Sequence, residues 1–493
     1  MSQPAAVRSA GEERVLAAVP KQLFIAGAWR DSQSGARFAV EDPATGEPLC
    51  EVANAGVQDG ADALAAASDA QAEWAAHPPR ERGEILRRAF ELIAQRIDDL
   101  ALLMTLEMGK SLAESRTEIA YANEFLRWFS EEAVRIEGNY AVSPNGASRL
   151  ITMRQPVGPC LLITPWNFPL AMGTRKVGPA VAAGCTMVIK PAMQTPLSML
   201  AFAEIMAHAG LPAGVLNVIT TASAGATIDP LFDDDRLRKL SFTGSTEIGR
   251  RLAARAMNRV LRVSMELGGN APFIVFADAD LDAAVEGAML AKLRNIGEAC
   301  TSANRFHVAR PLAEEFAARL AERMEKLRVG HGTEPDTDIG PLIDAKQRAK
   351  VQELVEDAVS LGARLLTGGR PLEGPGYFYP PTVLHDVPAG SRLLTEEIFG
   401  PVAPVVAFDT DEEALAAANA TEFGLVAYIY TRDLDRALRT AEALESGMVG
   451  LNQGIVSNPA APFGGVKQSG FGREGGYEGI HEYLAVKYVA LPL

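Results

Sequence analysis

Cys300 stands in RNIGEACTSANR, among two arginines, a glutamate, two asparagines and small residues. A cysteine attacks as its thiolate, and nearby cations with small, flexible neighbours favour that form. Cys50, Cys160 and Cys185 sit instead in PLCEVA, GPCLLI and AGCTMVI, settings that suit small buried fillers. A lone cysteine is usually structural, so the residues that could work with it decide its weight. Glu266, in SMELGGNAPF, ends an apolar segment just before two glycines. Burial of such a carboxyl raises its pKa toward the range of a general base, although a carboxylate that caps backbone N–H groups fits the same pattern. Asn167, in ITPWNFP, carries an amide between two aromatic residues. It reads either as a structural asparagine satisfied by nearby backbone or as a neutral donor to an oxyanion.

A second group of residues suits a phosphate-bearing ligand. KLSFTGSTEIGRRLAARAM is a strand, a glycine turn at Gly244 and a helix that Ser245 or Thr246 can cap. The first-turn N–H groups of such a helix seat a phosphate. The spacing from Gly244 to Gly249 is not the GxGxxG fingerprint, so a plain strand-to-helix turn explains the segment equally well. Lys190, in TMVIKPA, ends another strand-like run, at the edge where parallel sheets collect ligands. It is read as a solvated charge or as a contact to a ribose hydroxyl or phosphate.

These residues must be carried by an alternation of strands and helices. CLLITP, TMVIKPA, VLNVITT and RKLSFTG alternate with helical segments, and a second set follows Glu266 in PFIVFA, RFHVA, VVAFD and AYIYT. Such alternation predicts an α/β protein with two parallel-sheet, Rossmann-like domains and helices on both faces. Ahead of them lie short strands in QLFIAGAWRDSQSG and AVEDPATGEPLCEVA, then amphipathic helical runs through ERGEILRRAFELIAQRIDDLALLMTLEMGK. The first twenty residues read as a flexible tail. The uncharged stretch from Gln155 to Thr174 contains Pro156, Pro159, Pro165 and Pro169, which excludes a continuous membrane helix.

The 493 residues allow two or three domains. A formal net charge of -15 with no basic block argues against nucleic acid as a partner. It also means that an anionic ligand needs well-placed arginines. The four cysteines show neither metal-ligand spacing nor a disulfide framework, and no signal sequence is evident, which points to a cytoplasmic, metal-free protein.

Taken together, ITPWNFPL, AGCTMVIKPA, SFTGSTEIG, ELGGNAPFIV, GEACTSANR, EEIFGPV and PFGGVKQSGFGREGG resemble the NAD(P)-dependent aldehyde dehydrogenase superfamily, in its order and over nearly the whole chain. The resemblance implies that Cys300 is the nucleophile, that Asn167 and the Cys300 backbone N–H hold the oxyanion, and that Glu266 activates the water that releases the acid. It implies that Glu397 and Phe399 hold the nicotinamide ribose and ring, Lys190 the adenine ribose, and Gly244 and Ser245 the pyrophosphate. Thr164, Pro165, Trp166, Met193, Gly249 and Leu267 belong to the same cofactor motifs. Within the superfamily the likeness is greatest to the succinate-semialdehyde dehydrogenases. There, residues matching Arg175, Arg294 and Ser457 bind the distal carboxylate, although either arginine could pair with an acidic neighbour instead. The implied layout is a tail at 1–20, a dinucleotide-binding domain at 21–138 and 157–267, a catalytic domain at 268–477, and an oligomerisation element at 139–156 and 478–493. A homodimer or homotetramer is expected on the same ground.

The chain departs from the family at three places. Glu298 replaces a usual glutamine near the nucleophile, Ser302 replaces a second cysteine found in some relatives, and Met193 replaces the Glu or Ser that discriminates NAD from NADP. Without a carboxylate at 193 to repel a 2′-phosphate, NADP is favoured over NAD. Glutarate semialdehyde and uncharged aldehydes are the alternative substrates. Release of the product to CoA is disfavoured by the presence of Glu266. A cysteine hydrolase without nicotinamide lacks a histidine in a base motif, and a non-catalytic scaffold is at odds with intact Cys300, Glu266 and Asn167.

Overall fold

A computed structural model describes residues 8–493. Its first sheet has five parallel strands at its centre, in the order Leu216–Val218, Met187–Lys190, Cys160–Ile163, Lys239–Thr243 and Arg262–Glu266. The antiparallel hairpin Leu23–Ile25 and Ala28–Arg30 extends one edge, and Gly470–Phe471 closes the other. The central strands are apolar and buried along their length, as expected of parallel strands covered on both faces. A second sheet runs Thr382–His385, Val402–Phe408, Ala303–Ala309, Ala271–Val275, Val426–Tyr430 and Met448–Leu451, all parallel, with Arg364–Thr367 antiparallel at its edge. The fold is therefore α/β with two largely parallel sheets. A third, antiparallel sheet pairs Leu484–Pro492 with Ser148–Pro156, which pairs in turn with Asn139–Val142.

The segment Ala10–Ala18 is a helix rather than a loose tail. Ser9 and Glu12 form a reciprocal capping box, and Val15 and Leu16 are buried against the helical layer. Of the expected tail, residues 1–7 lie outside the described residues. The helical run read from Glu81 onward breaks at Arg96 into Pro79–Gln95 and Ile97–Met108, and Gly109 ends the second helix at φ 94. Among the described residues no helix is long and apolar enough to cross a membrane.

Register places the chemistry-bearing residues on one edge. Ile163 pairs with Lys190 and Thr243 with Glu266, so Thr164, Lys190, Gly244 and Glu266 share the C-terminal edge of the first sheet. A buried ion pair fixes the loop above it. Lys110 contacts Glu118 at 2.5 Å and donates to the Asn167 carbonyl at 2.8 Å, while Glu118 accepts the Leu170 and Ala171 N–H groups. Breaking a buried pair from one side leaves an uncompensated charge. The Glu118→Gln variant is expected to lose about 3–5 kcal/mol of stability, measured as a lowered denaturant midpoint; an unchanged midpoint would show that the pair does not anchor this loop.

Candidate active site

The shared sheet edge opens onto a cavity of about 690 Å³. Thr164, Pro165, Trp166, Lys190, Gly244 and Ser245 line one side of it, and Asn167, Leu267, Cys300, Glu397 and Phe399 line the other. Glycines make the approach possible. A Cβ on Gly269 would meet the Cys300 carbonyl oxygen at 2.4 Å, and one on Gly268 would meet Glu397 Oε2 at 2.9 Å. The Gly269 N–H also donates to Glu397 Oε1 at 2.9 Å. Gly244 likewise lets its turn pass the Phe242 ring, which a Cβ would meet at 2.6 Å. The Glu397–Phe399 loop is held from the helix Ala345–Ser360, where Lys350 donates to the Glu397 carbonyl and Gln347 to the Phe399 carbonyl, at 2.7 and 2.6 Å.

The cavity retains polar groups with nothing to bind. Thr164 Oγ1 and Thr243 Oγ1 are buried without partners. Lys190 is buried, and desolvation brings its amine down to about 8. Ser245 is the N-cap of Thr246–Met257, but its hydroxyl makes no capping bond. Free hydroxyls, a buried amine and a helix N-terminus on one sheet edge are the donors that a dinucleotide's ribose and phosphate groups require, and the residues fit that ligand.

Two of the expected cofactor residues stand apart from the cavity wall. The Met193 side chain is exposed at 40% and does not line the cavity, whose wall there is Gln194. Gly249 lies one turn inside its helix, where a Cβ would strike Leu267 Cδ2 at 2.3 Å. Its task is to seat Leu267, and it reaches the cavity only through that side chain.

Cys300 keeps partial exposure although its surroundings are those of the interior. Burial pushes its thiol up to about 12; Glu397 and Glu266 reinforce the shift, and Arg175 and Arg294 oppose it. Desolvation thus outweighs the neighbouring cations at this thiol. Glu266, on the strand end beside Leu267, has Oε2 buried without a partner. Burial first, and then the neighbouring Glu474, raises its carboxyl well above the usual range. Asn167 donates its amide to the Glu298 carbonyl at 2.9 Å, which leaves the second N–H of the same group available. The side chain of Glu298 is buried, accepts the Ile343 N–H at 3.1 Å, and is raised well above the usual range by burial. This departure from glutamine thus adds a carboxyl held toward its neutral form.

The two arginines part company. The Arg175 Nε is ion-paired with Glu474, and its guanidinium stacks over Phe463 at 4.1 Å. Lys176 shares the same carboxylate at 2.5 Å. Arg175 thus shares its charge with an acidic neighbour, the alternative that the sequence left open. Arg294 has no carboxylate partner among the described residues. Its guanidinium lies between the Phe168 and Tyr121 rings, at 5.0 and 5.5 Å, and Nη1 donates to Ser457 Oγ at 3.1 Å. Arg294 and Ser457 do not line the cavity that Cys300 borders.

Sequence reasoning missed Gln194, Thr243, Gln347 and Lys350. Gln347 and Lys350 lie in a helical stretch far along the chain, where no local pattern ties them to the site. Asn295 was missed as well. It sits at φ 57, with Ile296 at φ 62, and its amide donates to the carbonyls of Asn167 and Glu298 at 2.9 Å each. No cluster of His, Cys, Asp or Glu among the described residues could hold a metal ion.

The model described as "Aldehyde dehydrogenase family" matches residues 29–489. A succinate-semialdehyde dehydrogenase of Paenarthrobacter nicotinovorans is 60% identical over 443 residues, covering 90% of this chain and 98% of the relative. A glutarate-semialdehyde dehydrogenase of Pseudomonas putida is 52% identical over 471 residues, covering 96% of this chain and 98% of the relative. A crystal structure of an E. coli NADP-dependent enzyme superposes with a TM-score of 0.95 at 50% identity, covering 98% of this chain and 99% of that one.

The raised thiol has a measurable consequence. In cofactor-free protein, alkylation of Cys300 by iodoacetamide, followed by peptide mass mapping, is expected to rise about tenfold per pH unit from pH 7 to 10, in step with the thiolate fraction. A plateau by pH 9 would show an ordinary thiol.

Proposed function

The chain belongs to the aldehyde dehydrogenase family, and on that premise we propose that it oxidises succinate semialdehyde to succinate with NADP or NAD as acceptor. The observation that carries the choice of substrate is Arg294, a guanidinium between two aromatic faces with no carboxylate partner among the described residues and one bond to Ser457. In a chain of net charge -15, an unpaired arginine beside the nucleophile's segment is a receptor for an anion.

In this reading Cys300 Sγ attacks the aldehyde carbon and passes its proton to the Glu266 carboxylate as the bond forms, since the free thiol resists ionisation. The oxyanion of the thiohemiacetal accepts from the free Asn167 N–H and the Cys300 backbone N–H. A nicotinamide dinucleotide, when bound, would supply the hydride acceptor that the chain itself lacks, and Cys300 would then carry the acyl group as a thioester. Glu266, again a carboxylate after passing the thiol proton to solvent, takes a proton from water; the resulting hydroxide attacks the thioester, succinate leaves, and the departing thiolate takes the proton back from Glu266. Lys190, Gly244 and Ser245 would hold the adenosine and phosphate groups, and Trp166, Glu397 and Phe399 the nicotinamide half. NADP is favoured because Met193 stands where a carboxylate would repel a 2′-phosphate, and Gln194 lines the cavity after it. The antiparallel sheet, with Tyr140, Val486 and Tyr488 exposed, supports a homodimer or homotetramer, and four free cysteines suit a cytoplasmic enzyme.

Steady-state kinetics test the substrate assignment. Arg294→Ala is expected to lower kcat/KM for succinate semialdehyde about 100-fold or more, the cost of stranding a buried charge partner, and to leave butanal oxidation within a few-fold. Equal loss on both aldehydes, or loss on neither, would remove the anionic-substrate reading. A wild-type preference for glutarate semialdehyde would keep the receptor and lengthen the substrate by one methylene.

A further inference from the structure

The Tyr121 hydroxyl is buried without a hydrogen-bond partner, the only tyrosine hydroxyl in that position among the described residues. Its counterparts are satisfied: Tyr428 donates to the Thr301 carbonyl at 2.8 Å, and Tyr379 to Gln352 Oε1 at 3.0 Å. A phenol shut away from water without an acceptor costs about 1–3 kcal/mol, so a structure that keeps one has a use for it or an acceptor that arrives later.

The location of Tyr121 indicates which acceptor. The residue lies on the helix Leu112–Glu132, and the Arg294 guanidinium lies over its ring at 5.5 Å as well as over that of Phe168 at 5.0 Å. The ring is itself propped by Phe125, edge-on at 5.0 Å, which restricts where the hydroxyl can go. Arg175 lies close enough to feel the Tyr121 oxygen electrostatically, and it also feels Cys300 and Glu266. Tyr121 therefore shares a neighbourhood with both arginines and with the nucleophile's surroundings. Ser457 adds a further donor: its oxygen accepts from Arg294, which leaves its own O–H free to donate onward.

We propose that Tyr121 is a specificity-determining residue whose phenol O–H donates to the distal carboxylate of the substrate, beside Arg294 and Ser457. The proposal rests on the anionic-aldehyde reading and deepens it. A carboxylate offers two oxygens with about four acceptor directions, more than a guanidinium that already spends Nη1 on Ser457 and lies over two rings readily fills. One cation and two neutral hydroxyls satisfy it while adding a single charge to the pocket. That economy matters next to Cys300, because each extra cation would pull the thiol toward premature ionisation. A neutral aldehyde gains nothing from the same hydroxyls, and leaves the phenol unpaired. The penalty then becomes discrimination against uncharged substrates.

The test is Tyr121→Phe, which removes one oxygen and keeps the ring against Arg294. It is assayed on the full-length protein with succinate semialdehyde and butanal, alongside Arg294→Ala. The expected result is a fall of about 10- to 100-fold in the ratio of kcat/KM for succinate semialdehyde over butanal, the worth of one hydrogen bond to a charged group. The loss should appear mainly in KM, with the thermal midpoint of the variant unchanged or raised. Competitive inhibition by succinate should weaken by the same factor, a readout independent of turnover. If Arg294→Ala collapses the ratio and Tyr121→Phe leaves it alone, the tyrosine proposal is overturned and the anionic reading stands. If neither variant moves the ratio, both fall together. Equal losses on both aldehydes in Tyr121→Phe would make the residue a packing element and overturn the proposal.

Discussion

The site depends on one clamp. Between the helix ending at Leu293 and the strand beginning at Ala303, the chain turns through left-handed φ at Asn295, Ile296 and Gly297. Isoleucine there is costly, because its Cβ crowds the following carbonyl and a β-branched side chain has little freedom to escape. The turn persists because it is held from all sides. The Asn295 N–H donates to Glu114 Oε1 at 2.5 Å, its amide spans the carbonyls of Asn167 and Glu298, and Gly297 abuts Gly400 so closely that a Cβ would meet the carbonyl oxygen at 2.3 Å. Strain of this kind is kept where surrounding contacts over-determine it, and such places cluster at functional sites. The outcome is that Arg294 is directed toward Phe168 and Tyr121, while Cys300 reaches the cavity and Asn167 is fixed between them.

Around the clamp, charge is either paired or suppressed. Lys110 with Glu118, and Arg175 and Lys176 with Glu474, are buried pairs whose charges cancel locally. Cys300, Glu266 and Glu298 are pushed toward their neutral forms, each by burial first. In a low-dielectric site an unpaired charge carries the most weight, and beside the Cys300 segment that charge is Arg294, as Lys190 is at the sheet edge. On the proposed reading, a resting thiol beside an unpaired guanidinium would recognise an anionic aldehyde before any chemistry begins. The proton movements then follow from bond formation and do not precede it.

Much of this was legible in the sequence because it depends on local rules. Apolar runs ending in Thr164, Lys190, Gly244 and Glu266 identify parallel strands and the edge where ligands gather, and the strand pairing follows that reading. Cys300 stood out against three cysteines in apolar surroundings. What escaped depends on contacts between distant segments. The pairing of Arg175 with Glu474 joins a helix in the first half of the chain to a loop near its end, and nothing beside either residue announces it. Met193 and Gly249 were assigned by motif, but one points to solvent and the other packs on Leu267. The left-handed Ile296 runs against its own propensity, so only the surrounding structure could reveal it. The first helix is different: Ser9 and Glu12 are a readable capping box, and the alanine-rich segment concealed it.

The clamp is tested most directly by the pre-steady-state burst of reduced cofactor in an Asn295→Gly variant given succinate semialdehyde. Glycine accepts the left-handed backbone without strain and removes only the amide that ties Asn167 to Glu298. If that tie positions the oxyanion donor, the burst rate constant falls by about tenfold or more, since small displacements of a positioned group are costly to the chemical step, while the KM for the aldehyde stays close to wild type. A burst at the wild-type rate would contradict the clamp as the element on which the site depends.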